Sequence, residues 1–242
     1  MLHVLGTADE ALNYDMCESV AVIIDVLRAT TTMTVALANG AKEIIAVKSV
    51  EEALHLKDSL GENNILLGGE RNADKIEGFD LDNSPGSYTV DVVRGKAIVM
   101  TTTNGTRAIA NTSQAKKRYV ASLLNVDDVV AALKGISDDI YIVCSGTEGC
   151  FTIEDGLCAG MIVSKLSAVQ SIETNDMAVA MQMLYECSAD DITKVASRGE
   201  HWSRLLAKGY EGDLDLCFSS SAKYKRLEIV DHSVIMSHTC RV

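Results

Sequence analysis

Residues 20–34 read VAVIIDVLRATTTMT, and few folds accommodate that order of residue types. Five apolar residues run without a break, as in a strand covered on both faces inside a parallel sheet. Asp25 and Arg28 follow at once, then three threonines, then a helix-like pattern. Packing does not require charges there, and ligands of open α/β sheets bind beyond the carboxyl ends of strands. At that place Asp25 can hold a metal ion and Arg28 an anion. The plainer reading, in which Asp25 caps the helix and Arg28 pairs with it, stays open from this stretch alone.

The alternation continues along the chain. Strands are expected at 43–47, 65–67, 96–100, 118–122 and 139–144, with an edge strand at 3–5. Helices are expected at 32–39, 50–60, 106–111, 126–133 and 150–169, with 172–209 mostly helical. A long polar loop fills 72–88, and 226–230 with 233–237 reads as a terminal strand or hairpin. This predicts a layered α/β/α fold with a mostly parallel sheet, as a single domain over 1–242, with a variant of two lobes meeting at the site. Segment 20–60 is echoed by 96–135, strand, Thr-rich loop, helix, then AKEIIAVKSVEEAL against AKKRYVASLLNVDDVVAAL. Duplication and two βαβ units obeying common packing rules both account for the echo.

Four strands end in the same kind of residues. The first gives Asp25, Arg28 and Thr30; the second gives Glu70 and Arg71. The third gives TTTNGTR, with Thr102, Thr103, Asn104, Gly105 and Thr106. The fourth gives SGTEG, with Ser145, Gly146 and Thr147, followed by Glu154 and Asp155. If the strands are parallel neighbours, these ends converge on one rim. Both Gly-containing loops suit an oxyanion, through hydroxyls, close backbone N–H groups and a helix N-terminus. They suit ordinary turns and caps as well.

Asp25, Glu70, Glu154 and Asp155 are hard oxygen donors, and no His or Cys cluster accompanies them, which suits Mg²⁺. Glu154 and Asp155 are adjacent on a helix and diverge, so one of the two is expected to touch the metal. Arg28, Arg71 and Arg107 can hold anionic groups bidentately. Within the 72–88 loop, Pro85 implies a shaped segment from which Asn83 and Ser84 can face a ligand. Covalent phosphatase signatures are missing where they would be expected: Leu27 breaks D-x-D after the strand at 20–24, and C-x5-R, R-H-G and G-x-S-x-G are absent. Metal-activated water is the chemistry that remains.

A net charge of −12 argues against nucleic acid, so an anion site must be local. No apolar run is long enough to span a membrane. The start, MLHVLGTADEALNYD, lacks a secretory pattern, and seven cysteines without C-x-x-C spacing read as reduced, so a cytoplasmic location is expected.

Taken together, VIIDVLRATTT, GGERN followed by GFDLDNSP, MTTTNGTRA and CSGTEGCFTIEDGLCAG resemble the 2-phosphosulfolactate phosphatase (ComB) family of coenzyme M biosynthesis. The resemblance covers roughly residues 20–160 and departs at Asp82, where a small residue is expected. It implies an α/β fold peculiar to that family and Mg²⁺-dependent hydrolysis of a 2-hydroxyacid phosphate ester, giving 3-sulfolactate and phosphate. It makes Asp25, Glu70, Glu154 and Asp155 candidates for metal and water, with Asp25 and Glu154 as catalytic groups. Arg28, Arg71 and the Ser/Thr loops become candidates for the phosphate, carboxylate and sulfonate of a small, multiply anionic substrate. A homodimer is expected for a chain of this size and class. Two rivals remain, an anion-binding or sensory module without turnover and a hydrolase or lyase acting on another phosphorylated acid.

Overall fold

The computed structural model describes residues 1–61, 64–219, 224–231 and 233–237; His232, His238 and Cys240 lie outside them. In chain order the elements are β1 (Leu2–Leu5), β2 (Val20–Ile24), α1 (Ala29–Ala38), β3 (Glu43–Ala46), α2 (Val50–Leu60), β4 (Ile65–Arg71) and β5 (Asp74–Lys75). Next come α3 (Val90–Val93), β6 (Ala97–Thr101), α4 (Gly105–Asn111), β7 (Lys117–Ala121), α5 (Val126–Leu133) and β8 (Ile140–Cys144). The last are α6 (Ile153–Ser167), α7 (Asp176–Glu186), α8 (Ile192–Ala196), α9 (Glu200–Ala207), α10 (Glu211–Cys217), β9 (Leu227–Val230) and β10 (Ser233–Met236). The expected alternation holds, with shifted boundaries. Helix α1 begins at Ala29 and takes in the threonines. Strand β4 continues through Glu70 and Arg71, because β5 pairs back onto them. Helix α6 begins at Ile153, so Glu154 and Asp155 lie in its first turn.

One sheet contains all ten described strands, in the order β1-β8-β2-β7-β9-β10-β3-β6-β4-β5. Strands β1, β8, β2 and β7 are mutually parallel, as are β3, β6 and β4. The C-terminal hairpin β9–β10 sits between the two sets and is antiparallel to each. Three antiparallel steps separate β7 from β3, so the two sets point in opposite directions. From the centre outward they read β7, β2, β8 and β3, β6, β4. Exchanging β2–β3–β4 with β6–β7–β8 maps one order onto the other. The echo of 20–60 in 96–135 thus has a counterpart in strand order.

In a flat sheet the carboxyl ends of β2 and β6 would lie on opposite margins. The packing shows instead that the sheet curls. Ala21 and Ile23 of one set share a core with Ile98 and Met100 of the other, and with Met33 and Ala36 of α1 and Ala108 and Ile109 of α4. The two crossover helices are therefore enclosed on the concave face, as accumulated strand twist allows. Val20, Val22 and Ile24 face the other way, onto α6 and α7. On the outer side of the second set, Leu67 and Val99 pack against Ala53 of α2. Each parallel set is covered on both faces, which explains its unbroken apolar runs. No helix among the described residues is long and apolar enough to cross a membrane.

Candidate active site

Curling brings the N-termini of α1 and α4 together, and Asp25 lies at their meeting point. Thr30 fixes its backbone, the hydroxyl donating to Asp25 O (2.8 Å) and accepting from Asp25 N (3.0 Å). The side chain caps α1, Oδ1 accepting from Ala29 N at 3.1 Å, so the plainer reading is half correct. Oδ2 receives no hydrogen bond from a described residue. A Cβ at position 105 would stand 2.8 Å from Oδ2 and 2.6 Å from Ala29 Cβ, so the close approach of the two helices requires glycine. We expect Gly105→Ala to keep the fold by circular dichroism but to lower kcat/KM about a hundredfold, since it must move Asp25 or α4.

Glu70 is held rather than free. Its carboxylate accepts from Thr103 N (2.7 Å), Ala73 N (2.7 Å) and Thr103 Oγ1 (3.2 Å). Thr102 and Thr106 bond to each other, each backbone N–H donating to the other's hydroxyl. The hydroxyls of Thr106 and Thr30 both donate and accept inside the loops, and that of Thr102 accepts from Thr106 N. Arg71 turns away from the cavity, donating to Glu70 O (2.7 Å) and Thr101 Oγ1 (2.9 Å). Arg107 faces Asp9 at 3.6 Å. Asp155 has both oxygens engaged, by Val26 N (2.8 Å) and Gly146 N (3.1 Å). It ties the ends of β2 and β8 together, and burial with Asp25 and Glu154 nearby holds its carboxyl well above the usual range. Ser145 is wholly buried, and Gly146 takes φ +63, which a side chain would strain.

Arg28 is buried and rigid. It donates to Asp213 Oδ2 (2.7 Å) and Ala73 O (2.9 Å), and its guanidinium lies 4.0 Å above the Tyr210 ring. Ser84 donates to the other oxygen of Asp213. Helix α10, far along the chain, is thereby pinned to the loop after β2. Asn83 lines the pocket, and its buried Oδ1 has no partner among the described residues.

The opposite wall was not legible in the sequence. His201, in the first turn of α9, points its Nδ1 at Glu154 Oε1 (3.1 Å) and Thr147 Oγ1 (2.9 Å). Glu154 is almost fully buried, and its Oε2 has no partner among the described residues. One turn on, Arg204 pairs with Glu148 across the mouth at 2.7 Å. The cause of the missed wall is plain: 200–207 carries no motif, and its only signal is His201 and Arg204 three apart on one helical face. Burial raises the Asp25 carboxyl to about 6; His201 and the Ala29 N–H pull it back, and Glu70 and Glu154 push it further up.

Of the residues singled out from the sequence, Asp25, Arg28, Glu70, Asn83, Thr103, Asn104 and Thr147 line one pocket, joined by His201, Glu148 and Arg204. Thr30, Arg71, Ser84, Thr102, Gly105, Thr106, Ser145, Gly146, Glu154 and Asp155 stand behind that wall and position it. The inner space is small, about 30 Å³. It adjoins a second cavity of about 320 Å³ that shares Thr147, Glu148, His201 and Arg204 with it. Among the described residues no three His, Cys, Asp or Glu side chains form a metal cage. Mg²⁺ needs only one or two carboxylates, completed by water and phosphate oxygens. The free Oδ2 of Asp25, a residue 7% exposed, with no thiol in the pocket lining, fits that requirement.

A family described as 2-phosphosulpholactate phosphatase matches residues 7–230. A protein of Caldanaerobacter subterraneus subsp. tengcongensis is 43% identical over 205 residues, covering 85% of each chain. One from Clostridium beijerinckii is 37% identical over 221 residues, covering 91% of this chain and 92% of that one. One from Clostridium perfringens is 44% identical over 220 residues, covering 89% and 88%. All three are named probable 2-phosphosulfolactate phosphatase.

Proposed function

Because the chain belongs to the 2-phosphosulfolactate phosphatase family, we propose that it hydrolyses 2-phospho-3-sulfolactate, or a related 2-phospho-hydroxyacid, to the hydroxyacid and phosphate, using Mg²⁺. The observation that carries this reading is the free carboxylate oxygen of the largely buried Asp25 sharing one small pocket with a histidine held by Glu154. Mg²⁺ at Asp25 would neutralise phosphate charge and lower the pKa of a bound water.

The chain's own residues do the rest. Arg28, locked by Asp213 and Ala73 O, keeps a fixed positive charge beside Asp25 and needs no reorganisation when an anion arrives. Asn83 and Asn104 add polar groups to the same lining. Glu154 and Thr147 hold His201 by Nδ1, leaving Nε2 to act on the substrate. With Nδ1–H donated to Glu154, the Nε2 lone pair takes a proton from the water as it attacks phosphorus, and the departing alkoxide oxygen takes its proton from solvent as the phosphorus–ester bond breaks.

The test is release of inorganic phosphate from 2-phospho-3-sulfolactate, with Mg²⁺ and with EDTA. Mg²⁺-dependent release is expected, and His201→Gln should lose about 10²- to 10⁴-fold in kcat. Tight binding of the ester with no phosphate released would instead mark an anion-binding module.

A further inference from the structure

The proposed substrate carries three anionic groups, and the inner pocket, at about 30 Å³, cannot enclose them all. The rest of the molecule must extend into the adjoining cavity of about 320 Å³. Among the described residues, Arg28 and Arg204 are the only Lys or Arg that line either cavity. Arg28 is committed to Asp213 and Ala73 O. Arg204 lines both cavities, and its partner is Glu148, with the two side chains 34% and 63% exposed. An ion pair so open to water is worth little and exchanges readily. A second donor stands beside the same outer space: Thr152, 8% exposed, lines that cavity, and its buried hydroxyl has no partner among the described residues.

We infer that Arg204 leaves Glu148 to bind the acid group of the substrate farthest from the phosphate, with Thr152 as a second donor, and so sets specificity for a doubly acidic ester. The inference rests on the function proposed above and adds the residue that selects the substrate. Charge-assisted hydrogen bonds supply the discrimination. Glu148 competes with the ligand for the same guanidinium, so the two partners have opposite effects on affinity.

The experiment compares 2-phospho-3-sulfolactate with 2-phospholactate, which lacks the sulfonate, on the full chain with Mg²⁺. Arg204→Ala should lower kcat/KM for the sulfonated ester roughly ten- to hundredfold, mainly through KM. It should lower kcat/KM for 2-phospholactate by distinctly less, so that the preference for the sulfonated ester falls. Arg204→Lys should recover part of the loss, and Glu148→Gln should lower KM for the sulfonated ester. Equal losses on both esters, no loss on either, or a raised KM in Glu148→Gln would overturn the inference. If the wild-type protein turns over neither ester, the proposed function fails, and calorimetric binding of 3-sulfolactate against lactate decides the role of Arg204. Loss of that preference in Arg204→Ala supports the inference; an unchanged preference, or no wild-type preference, overturns it.

Discussion

Asp25→Asn should silence the enzyme and make the protein more stable at neutral pH. The loss of phosphate release is expected on the order of 10³-fold, because the substitution removes the negative charge of the carboxylate proposed to hold the metal. The gain in stability follows from the raised carboxyl. Burial, with Glu70 and Glu154 nearby, lifts it from 3.8 to about 6. A group with that shift binds its proton more tightly in the native state than in the unfolded chain. Native stability therefore falls as pH climbs from about 4 to 6, and at pH 7 the full cost is present. The difference amounts to about 3 kcal/mol, which Asp25→Asn should recover in metal-free protein. Thermal melts in EDTA should show Tm roughly 10 °C higher for the variant at pH 7, with the gap closing towards pH 4. Added Mg²⁺ should raise the wild-type Tm and leave the variant unmoved. A variant no more stable than wild type at pH 7 would mean that Asp25 is not buried as a charge.

Asp213→Ala should be the most damaging single truncation away from the reacting atoms. Arg28 and Asp213 are paired with side chains only 2% and 8% exposed. Removing the acid leaves a buried guanidinium without its counter-charge, at a cost of about 3–5 kcal/mol. It also releases Ser84 and the tie between α10 and the loop after β2. Urea unfolding should show that loss, and the double variant Arg28→Ala/Asp213→Ala should lose less than the sum of the single ones. A loss below about 1 kcal/mol would place the pair in the weak class of solvent-exposed bridges.

These two residues mark how far the sequence could be read. Asp25 was legible because an apolar run stops abruptly at a charge, a local pattern with few structural explanations. Asp213 and His201 belong to helical stretches without motifs, and only tertiary folding delivers them to the pocket. The threonine loops show a different limit. Thr102, Thr106 and Thr30 lie behind the pocket wall, because a hydroxyl in or just before a first helical turn readily bonds to nearby backbone, and these three do. Arg71 was displaced from the expected clamp for a related reason: β4 continues through it, and its side chain bonds across the sheet to Thr101. The sheet shows a third limit. Each strand and the C-terminal hairpin could be read locally, but the insertion of that hairpin between two opposed parallel sets depends on contacts remote in sequence.

Asp25, Arg28, His201 and Arg204 are expected to act on one ligand. A crystal structure with Mg²⁺ and 3-sulfolactate tests this most directly. The expected result is the ion on Asp25 Oδ2, with the ligand running from Arg28 past His201 to a sulfonate on Arg204. A ligand bound elsewhere, or an ion that does not touch Asp25, would contradict it.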